Sequence, residues 1–416
     1  MMVAPPERVR RGFRALGPGL ITGAADDDPS GIATYSQAGA AFGFGLLWTA
    51  LLTLPLMSAV QLICARIGLT TRRGLASVLR SHYPPWLLWI VCVLLLIANT
   101  VNIAADLGGM AEAAALVTGL PPVGLVPAFA LLILALLAFA SYTSMNRILK
   151  WMTVGLFAYV VAAFLARPHW GAVIGGTFWP RATISGDYLL TVVAILGTTI
   201  SPYLFFWQTA QEAEDEAHHL RVPISQLFRT AATDTNFGML VSNVIMYFII
   251  VTTGATLHPA GTTHITTAAQ AAAALRPLAG RGAALLFTLG IVGTGLLAVP
   301  VLAGSAAYAI AEAARWRRGM DEKVWKAPQF YVVIAVSTLI GVALNYVRID
   351  AMRLLFWAAV INGLLAPPLI VIILMVGNNT QIMGNARNGI VLNALGGAAA
   401  VVMTIAAGAL VWSWVA

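Results

Sequence analysis

Apolar runs of about twenty residues, separated by short turns, recur along almost the whole 416-residue chain. That recurrence leaves few folds open, because about 20 apolar helical residues are needed to cross the hydrocarbon of a bilayer. In lipid, every backbone N–H and C=O must also be satisfied within the structure, which favours helices. The reading is an all-α polytopic membrane protein with eleven transmembrane helices. They are expected at about 16–41, 46–67, 85–117, 122–142, 148–166, 188–213, 235–257, 283–312, 328–346, 351–376 and 389–414, the third extending beyond the bilayer. With 59% hydrophobic and only 10% charged residues, no polar stretch is long enough to fold separately. Residues 1–416 therefore read as a single transmembrane domain.

The charge pattern sets the orientation. A net charge of +8 invites a nucleic-acid reading. The basic residues are scattered at helix ends, however, which membrane topology alone produces. With the N-terminus inside, 18 of the 24 Lys and Arg residues fall on the cytoplasmic side and 6 on the other. The expectation is a multi-pass plasma (inner) membrane protein, with the N-terminus cytoplasmic and the C-terminus outside. The lipid bilayer is the partner these spans imply; no nucleic acid and no obligatory protein partner are expected. The Arg-rich start resembles a signal peptide, but an acidic triplet interrupts the apolar run and no clear small-residue cleavage site follows. Cys64 and Cys92 lie in apolar segments and read as packed thiols.

Inside the first span stands Asp26-Asp27-Asp28-Pro29-Ser30-Gly31. Carboxylates at that depth are expensive and should face a cavity or an ion rather than lipid. Pro29 lacks a backbone N–H and Gly31 is a weak helix former, so the helix should break where the carboxylates sit. A second break is expected in the sixth span, at Gly197-Thr198-Thr199-Ile200-Ser201-Pro202. The two sites are five spans apart and so oppositely oriented. Such a pair marks a 5+5 inverted repeat with a site near the bilayer midplane. The chain then divides into a cytoplasmic segment 1–15, a first five-helix repeat 16–166, a second 188–376 and an eleventh helix 389–414. Freed carbonyls at the breaks are ligands for hard cations.

The same residues carry a family resemblance. Gly17-Pro18-Gly19, Asp28-Pro29-Ser30-Gly31, Ala33-Thr34, Gln37-Ala38-Gly39-Ala40, Phe42-Gly43 and Leu46-Leu47-Trp48 resemble the first helix of the NRAMP divalent-metal transporters. Gln61, Ala65, Arg66 and Gly68 continue the likeness, and Asp106 stands in the third span where the family keeps an aspartate. The resemblance implies a LeuT-type fold with broken first and sixth helices, and a metal site at Asp28, Gly31, Thr198 and Ser201. It also shows departures. Gly31 replaces a ligand asparagine, Ser201 a ligand methionine and Tyr203 a histidine, while Thr198 takes the place of an alanine whose carbonyl helps. The chain is most similar to the prokaryotic NRAMP-related magnesium transporters, which carry this kind of substitution.

Chemistry points the same way. A thioether favours transition metals over Mg²⁺ and Ca²⁺, and a hydroxyl does not. Losing the asparagine deletes an oxygen ligand and should widen the cavity. Mg²⁺ dehydrates reluctantly and is commonly held by one or two carboxylates with waters retained. The expected activity is import of partly hydrated Mg²⁺, with Mn²⁺ as a second cargo, by alternating access without proton coupling. Asn99 and Gly109 stand where the family commonly has glutamates, and the six histidines fall in loops or at helix ends. Membrane potential alone supplies about 4.6 kcal/mol per 100 mV for two charges. The alternatives are a proton-coupled Mn²⁺/Fe²⁺ symporter of the NRAMP type or a LeuT-fold organic-solute symporter, the latter disfavoured by three adjacent aspartates. No phosphate loop, His-Glu-x-x-His pair or zinc spacing nominates an enzyme, and no cofactor is expected beyond the transported ion.

Further candidates for an ion pathway are Asp26, Asp27, Asn102, Asp106, Tyr203, Gln208 and Asn362. Asp26 and Asp27 read either as outer anions attracting hydrated cations or as helix-end groups in a cytoplasmic vestibule. Asn102 and Asp106 share a helix face, lining the path or making structural hydrogen bonds. Glu212, Glu214, Asp215 and Glu216 read as a solvated cap or as partners of Arg221 and Arg229, with an exit site as the alternative. Gln208 and Gln211 point toward the pathway, and Asn362 and Gly363 are expected to line the cavity.

Overall fold

The computed structural model describes residues 18–139, 153–179, 185–218, 223–320, 322–347 and 350–415. The N-terminal segment 1–15, the end of the fourth expected span, the start of the fifth, and Arg147, Lys150, Arg181, Arg221 and Arg348 lie outside them. The described residues are helical, joined by short turns. The helices are α1 (Pro18–Asp26), α2 (Pro29–Phe42), α3 (Trp48–Thr71), α4 (Leu75–His82) and α5 (Pro85–Thr118). They continue with α6 (Pro122–Phe139), α7 (Phe157–Leu165), α8 (Trp170–Phe178), α9 (Gly186–Thr199) and α10 (Pro202–His218). The last five of eight residues or more are α11 (Ile224–Thr256), α12 (Ala283–Ala314), α13 (Pro328–Leu344), α14 (Ala351–Asn378) and α15 (Ile390–Val415).

Among the described residues, 9 helical stretches are long and apolar enough to cross a membrane. The split first helix, α1 plus α2, and the partly described fifth, α7, complete the eleven expected spans. At 34 residues, α5 is about 51 Å long and outreaches the bilayer, as its apolar length implied. Three details differ from expectation. The seventh helix begins at Ile224 rather than near 235. Its early residues Thr233, Asp234 and Thr235 resemble a loop in sequence, yet Asp234 and Thr235 are buried against α1. The stretch between the second and third spans folds into α4, and the loop after the fifth contains α8.

Both breaks occur where proline starts a new helix. Asp27 and Asp28 separate α1 from α2, and Ile200 and Ser201 separate α9 from α10. Proline is tolerated at a first helical position because that N–H would be unsatisfied anyway. The packing repeats as well. The second half of the first helix, α2, runs along the seventh helix, α11; the second half of the sixth, α10, runs along the second, α3. An inverted repeat demands this exchange, since it swaps helix one with six and two with seven.

Close backbone approach holds the breaks in place. A Cβ on Gly23 would lie 2.7 Å from the Gly238 Cα, so α1 and α11 touch through their glycines. A Cβ on Gly197 would lie 2.7 Å from the Gly363 Cα, and α9 meets α14 the same way. Small residues permit this where van der Waals packing must hold helices together in lipid. Gly363, expected to line a cavity, is therefore a contact point instead. Cys64 and Cys92 are buried and unbridged.

Candidate metal site

Asp28 caps the N-terminus of α2. Its backbone is extended, and its Oδ1 accepts from the Gly31 N–H at 2.6 Å. The fixed φ of Pro29 and the freed N–H groups of the first turn turn this carboxylate toward the break. Across from it, Tyr203 on α10 donates its hydroxyl to the Ala25 carbonyl at 2.8 Å, with Asp28 Oδ2 at 3.5 Å. One carbonyl freed by the break is thus already satisfied by a protein group.

Gly31 faces the sixth helix. A Cβ there would sit 3.2 Å from the Asp26 carbonyl, 3.2 Å from Thr198 Oγ1 and 3.3 Å from the Tyr35 ring. The loss of a side chain at Gly31 therefore does not simply widen the cavity. The Thr198 hydroxyl and the Tyr35 ring take up the room, and hydroxyl and carbonyl oxygens stand where an amide would reach. Ser201 behaves differently again. Its Oγ donates back to the Thr198 carbonyl at 2.6 Å and the Gly197 carbonyl at 2.9 Å, leaving its oxygen lone pairs as its contribution to a ligand.

Asp26 and Asp27 turn away from Asp28 toward α11. The Ser242 hydroxyl lies 2.7 Å from Asp26 Oδ2 and 3.1 Å from Asp27 Oδ1, bridging the two. Both residues are buried, so they are not vestibule groups open to solvent. The hydroxyl of Ser30 ties the break to the tenth helix through the Leu355 carbonyl at 2.8 Å.

On the third helix, Asn102 and Asp106 are completely buried, and none of their four side-chain N and O atoms has a hydrogen-bond partner. Asn99, nearby on α5, is anchored instead, its amide donating to the Leu302 carbonyl at 2.9 Å and Ser305 Oγ at 2.7 Å. Asn362 is buried on α14 with its Oδ1 unpartnered. Such unpaired buried polar atoms call for an ion or water to meet them. No group of three His, Cys, Asp or Glu side chains suited to a metal occurs among the described residues. The donor set around Gly31 is instead one carboxylate with hydroxyls and carbonyls, which suits a hard cation held in passing.

Gln208 lies further along α10. It accepts from the Thr22 hydroxyl of α1 and donates to Glu212 Oε1 at 2.8 Å. Glu212 is buried, not a solvated cap. Gln211 reaches the Tyr308 hydroxyl at 3.3 Å, and that hydroxyl meets Glu214 at 2.9 Å. Glu214 and Tyr308 border a cavity of about 270 Å³, lined also by Arg72, Glu312, Arg317 and Arg318. Asp215, Glu216 and Arg221, read as part of this cluster, fall outside the described side chains. Sequence reasoning missed Ser242 and Asp234. Asp234 Oδ2 accepts from the Gly19 N–H at 2.7 Å and the Leu20 N–H at 3.2 Å, capping α1 from another helix.

A family model described as natural resistance-associated macrophage protein-like matches residues 19–413. A divalent metal cation transporter MntH of Aeromonas hydrophila is 26% identical over 396 residues, 92% of this chain and 91% of the relative. The MntH of Mesorhizobium japonicum is 27% identical over 301 residues, 69% of this chain, and the match spans 64% of that relative's length. A manganese transporter structure from Eremococcus coleocola superposes with a TM-score of 0.77 at 18% identity, over 98% of this chain and 87% of the other. A nucleobase-cation-symport-1 family transporter, Mhp1, follows at 0.60 and 14% identity, over 96% and 92%. At these identities the likeness is one of fold, and it places the helices in the LeuT-type inverted repeat. With the matched region spanning both helix breaks, this multi-pass membrane chain belongs to the Nramp family.

Proposed function

We propose that the chain moves a divalent metal cation across the membrane by alternating access, with partly hydrated Mg²⁺ as its main cargo and Mn²⁺ as a second. The relatives are named as divalent metal cation transporters, which supports the cargo class. The observation that carries the choice of ion is the donor set at the breaks. Asp28, the Asp26 carbonyl, Thr198 and Tyr203 present oxygen, and Ser201 adds a hydroxyl in place of a thioether. Oxygen donors favour Mg²⁺ and Mn²⁺ over softer transition metals. The Lys and Arg bias supports a cytoplasmic N-terminus, so that a negative interior draws the cation inward. At position 203 a tyrosine whose hydroxyl is held by the Ala25 carbonyl at 2.8 Å stands in place of a histidine, the side chain that most readily takes up a proton near neutral pH, which supports transport without proton coupling.

The second reading is a proton-coupled Mn²⁺ carrier. It is favoured by one observation: the Met110 side chain packs on Gly295, where a Cβ would also lie 3.3 Å from Pro29 Cγ, so a thioether lies near the first break. Purified protein in liposomes with an internal pH reporter separates the two. Mg²⁺ uptake driven by a negative internal potential, with no acidification of the lumen, is expected. Uptake restricted to Mn²⁺, or accompanied by acidification, would select the second reading.

A further inference from the structure

Arg66 is a half-buried cation inside a membrane helix, away from both breaks. It stands on α3 a little over one turn before the helix ends at Thr71, about 8 Å along the axis. A long basic side chain at that depth lays its stem along the span and brings its head to the level of the lipid headgroups. Its Nη2 donates to the Ala386 carbonyl at 2.9 Å and the Arg387 carbonyl at 3.2 Å, in the turn before α15. The Phe228 ring of α11 covers one face of the guanidinium, with its centroid 4.5 Å from Cζ. A guanidinium carries five donors, and the buried Nε of Arg66 has no partner among the described residues. Such an atom calls for a ligand.

Beside that guanidinium lies a groove of about 80 Å³. Leu62, Ala65 and Leu69 line it from one face of α3, and Ala231 and Ala232 from α11. Leu392 of α15 closes the third side. Alanines on both facing helices are too short to fill the space. Arg66 is the one polar residue lining it among the described residues. Two more cations flank the site. Exposed Arg229 follows Phe228 in the chain, and exposed Arg387 gives Arg66 its carbonyl. Among the described residues, no carboxylate pairs with any of the three.

We propose that this groove binds one acidic phospholipid, its phosphodiester on Arg66 and the upper part of an acyl chain between α3 and α11. Apolar walls that end at unspent guanidinium donors match a molecule with a hydrocarbon tail and an anionic head. Guanidinium donors make strong, charge-assisted hydrogen bonds to phosphate oxygens. The excess of positive charge favours a headgroup with net negative charge over a zwitterionic one. The bilayer itself supplies the occupant, at the leaflet that the Lys and Arg bias assigns to the cytoplasm. The lipid thereby ties the second helix to the seventh and the eleventh.

The test is thermal unfolding of the purified full chain in neutral detergent, with added phosphatidylglycerol, phosphatidylcholine or inorganic phosphate. Phosphatidylglycerol at saturating concentration is expected to raise the unfolding temperature by about 3–5 °C, as for any ligand that binds only the folded state. Phosphatidylcholine and inorganic phosphate should give less than half that rise. An equal rise with phosphatidylcholine would overturn the acidic headgroup, and an equal rise with inorganic phosphate would make the site one for a free anion. Arg66→Gln should unfold earlier without lipid, because two carbonyls lose a donor, and should lose the extra rise from phosphatidylglycerol. A variant that unfolds earlier but keeps the full rise has lost only a structural contact, and that result overturns the proposal. If Arg66→Gln does not yield folded protein, Ala232→Leu decides, since it fills the groove and leaves Arg66 in place. The rise should then fall by at least half, and an unchanged rise overturns the assignment.

Discussion

The two helix breaks share a layout and differ in what they do with it. Each interrupts a helix for two residues and restarts it on a proline, Pro29 or Pro202. At the first, the acidic triplet splits: Asp28 caps the new helix while Asp26 and Asp27 turn to Ser242. At the second, Ser201 turns back and satisfies the carbonyls of Gly197 and Thr198, the groups its own break has freed. The first break therefore keeps three carboxylates at its centre, and the second largely satisfies itself. Equivalent positions in an inverted repeat need not share the work equally. Here the charge sits on one half and the hydroxyl-lined wall on the other.

Substitutions can break that asymmetry. Asp28→Ala should have the largest effect. If Asp28 holds the cation as proposed, its loss leaves a buried charge without its partner, a cost of about 3–5 kcal/mol, and cation flux into vesicles should fall at least about a hundredfold; residual flux near wild type would make the first break dispensable. Next comes the double change Gly31→Asn with Ser201→Met, which restores an amide and a thioether. The ratio of Mn²⁺ to Mg²⁺ flux should rise by about tenfold, or roughly 1.4 kcal/mol of discrimination. Crowding by Thr198 and Tyr35 around Gly31 should lower the unfolding temperature as well. An unchanged ratio would mean that ion choice is made elsewhere.

Ser201→Ala ranks third. It leaves two buried carbonyls short of a donor, a stability loss of about 1–3 kcal/mol read by thermal unfolding. Flux should fall only severalfold, and a loss as deep as that of Asp28→Ala would erase the distinction between the breaks. The smallest effect is expected for Tyr203→Phe, which removes one hydrogen bond to the Ala25 carbonyl and should cost about 0.5–1.5 kcal/mol of stability. Flux assayed between pH 6 and 8 should keep the wild-type profile if transport is uncoupled from protons, and a shifted profile would count against that reading.

Much of this architecture is legible in the sequence because lipid imposes a coarse rule. Span length is fixed by bilayer thickness, and Pro29 and Pro202 mark the interruptions without further information. What stays hidden is polar sequence that serves a neighbouring helix. Thr233, Asp234 and Thr235 look like a loop, yet they extend α11, and Asp234 binds the backbone of α1. Glu212 looks like a solvated cap, but Gly68 lets α3 close over it, a Cβ there falling 3.1 Å from the Glu212 Cβ. The crowding around Gly31 is equally invisible, since a missing side chain in sequence does not reveal which neighbours move into its place. Ser242 gives no signal at all among the many serines and threonines of these helices.

The capping of α1 by Asp234 has a mechanical consequence. A nine-residue helix ending at a break would ordinarily serve as a free lever, hinged at Asp27 and Asp28. Here the far end of that lever is fastened, because two of its first N–H groups have their acceptor on α11. Swinging α1 alone would expose those donors where water is scarce, at several kcal/mol apiece. Any rearrangement that moves α1 must therefore carry the start of the seventh helix with it, so the moving part is a yoked pair.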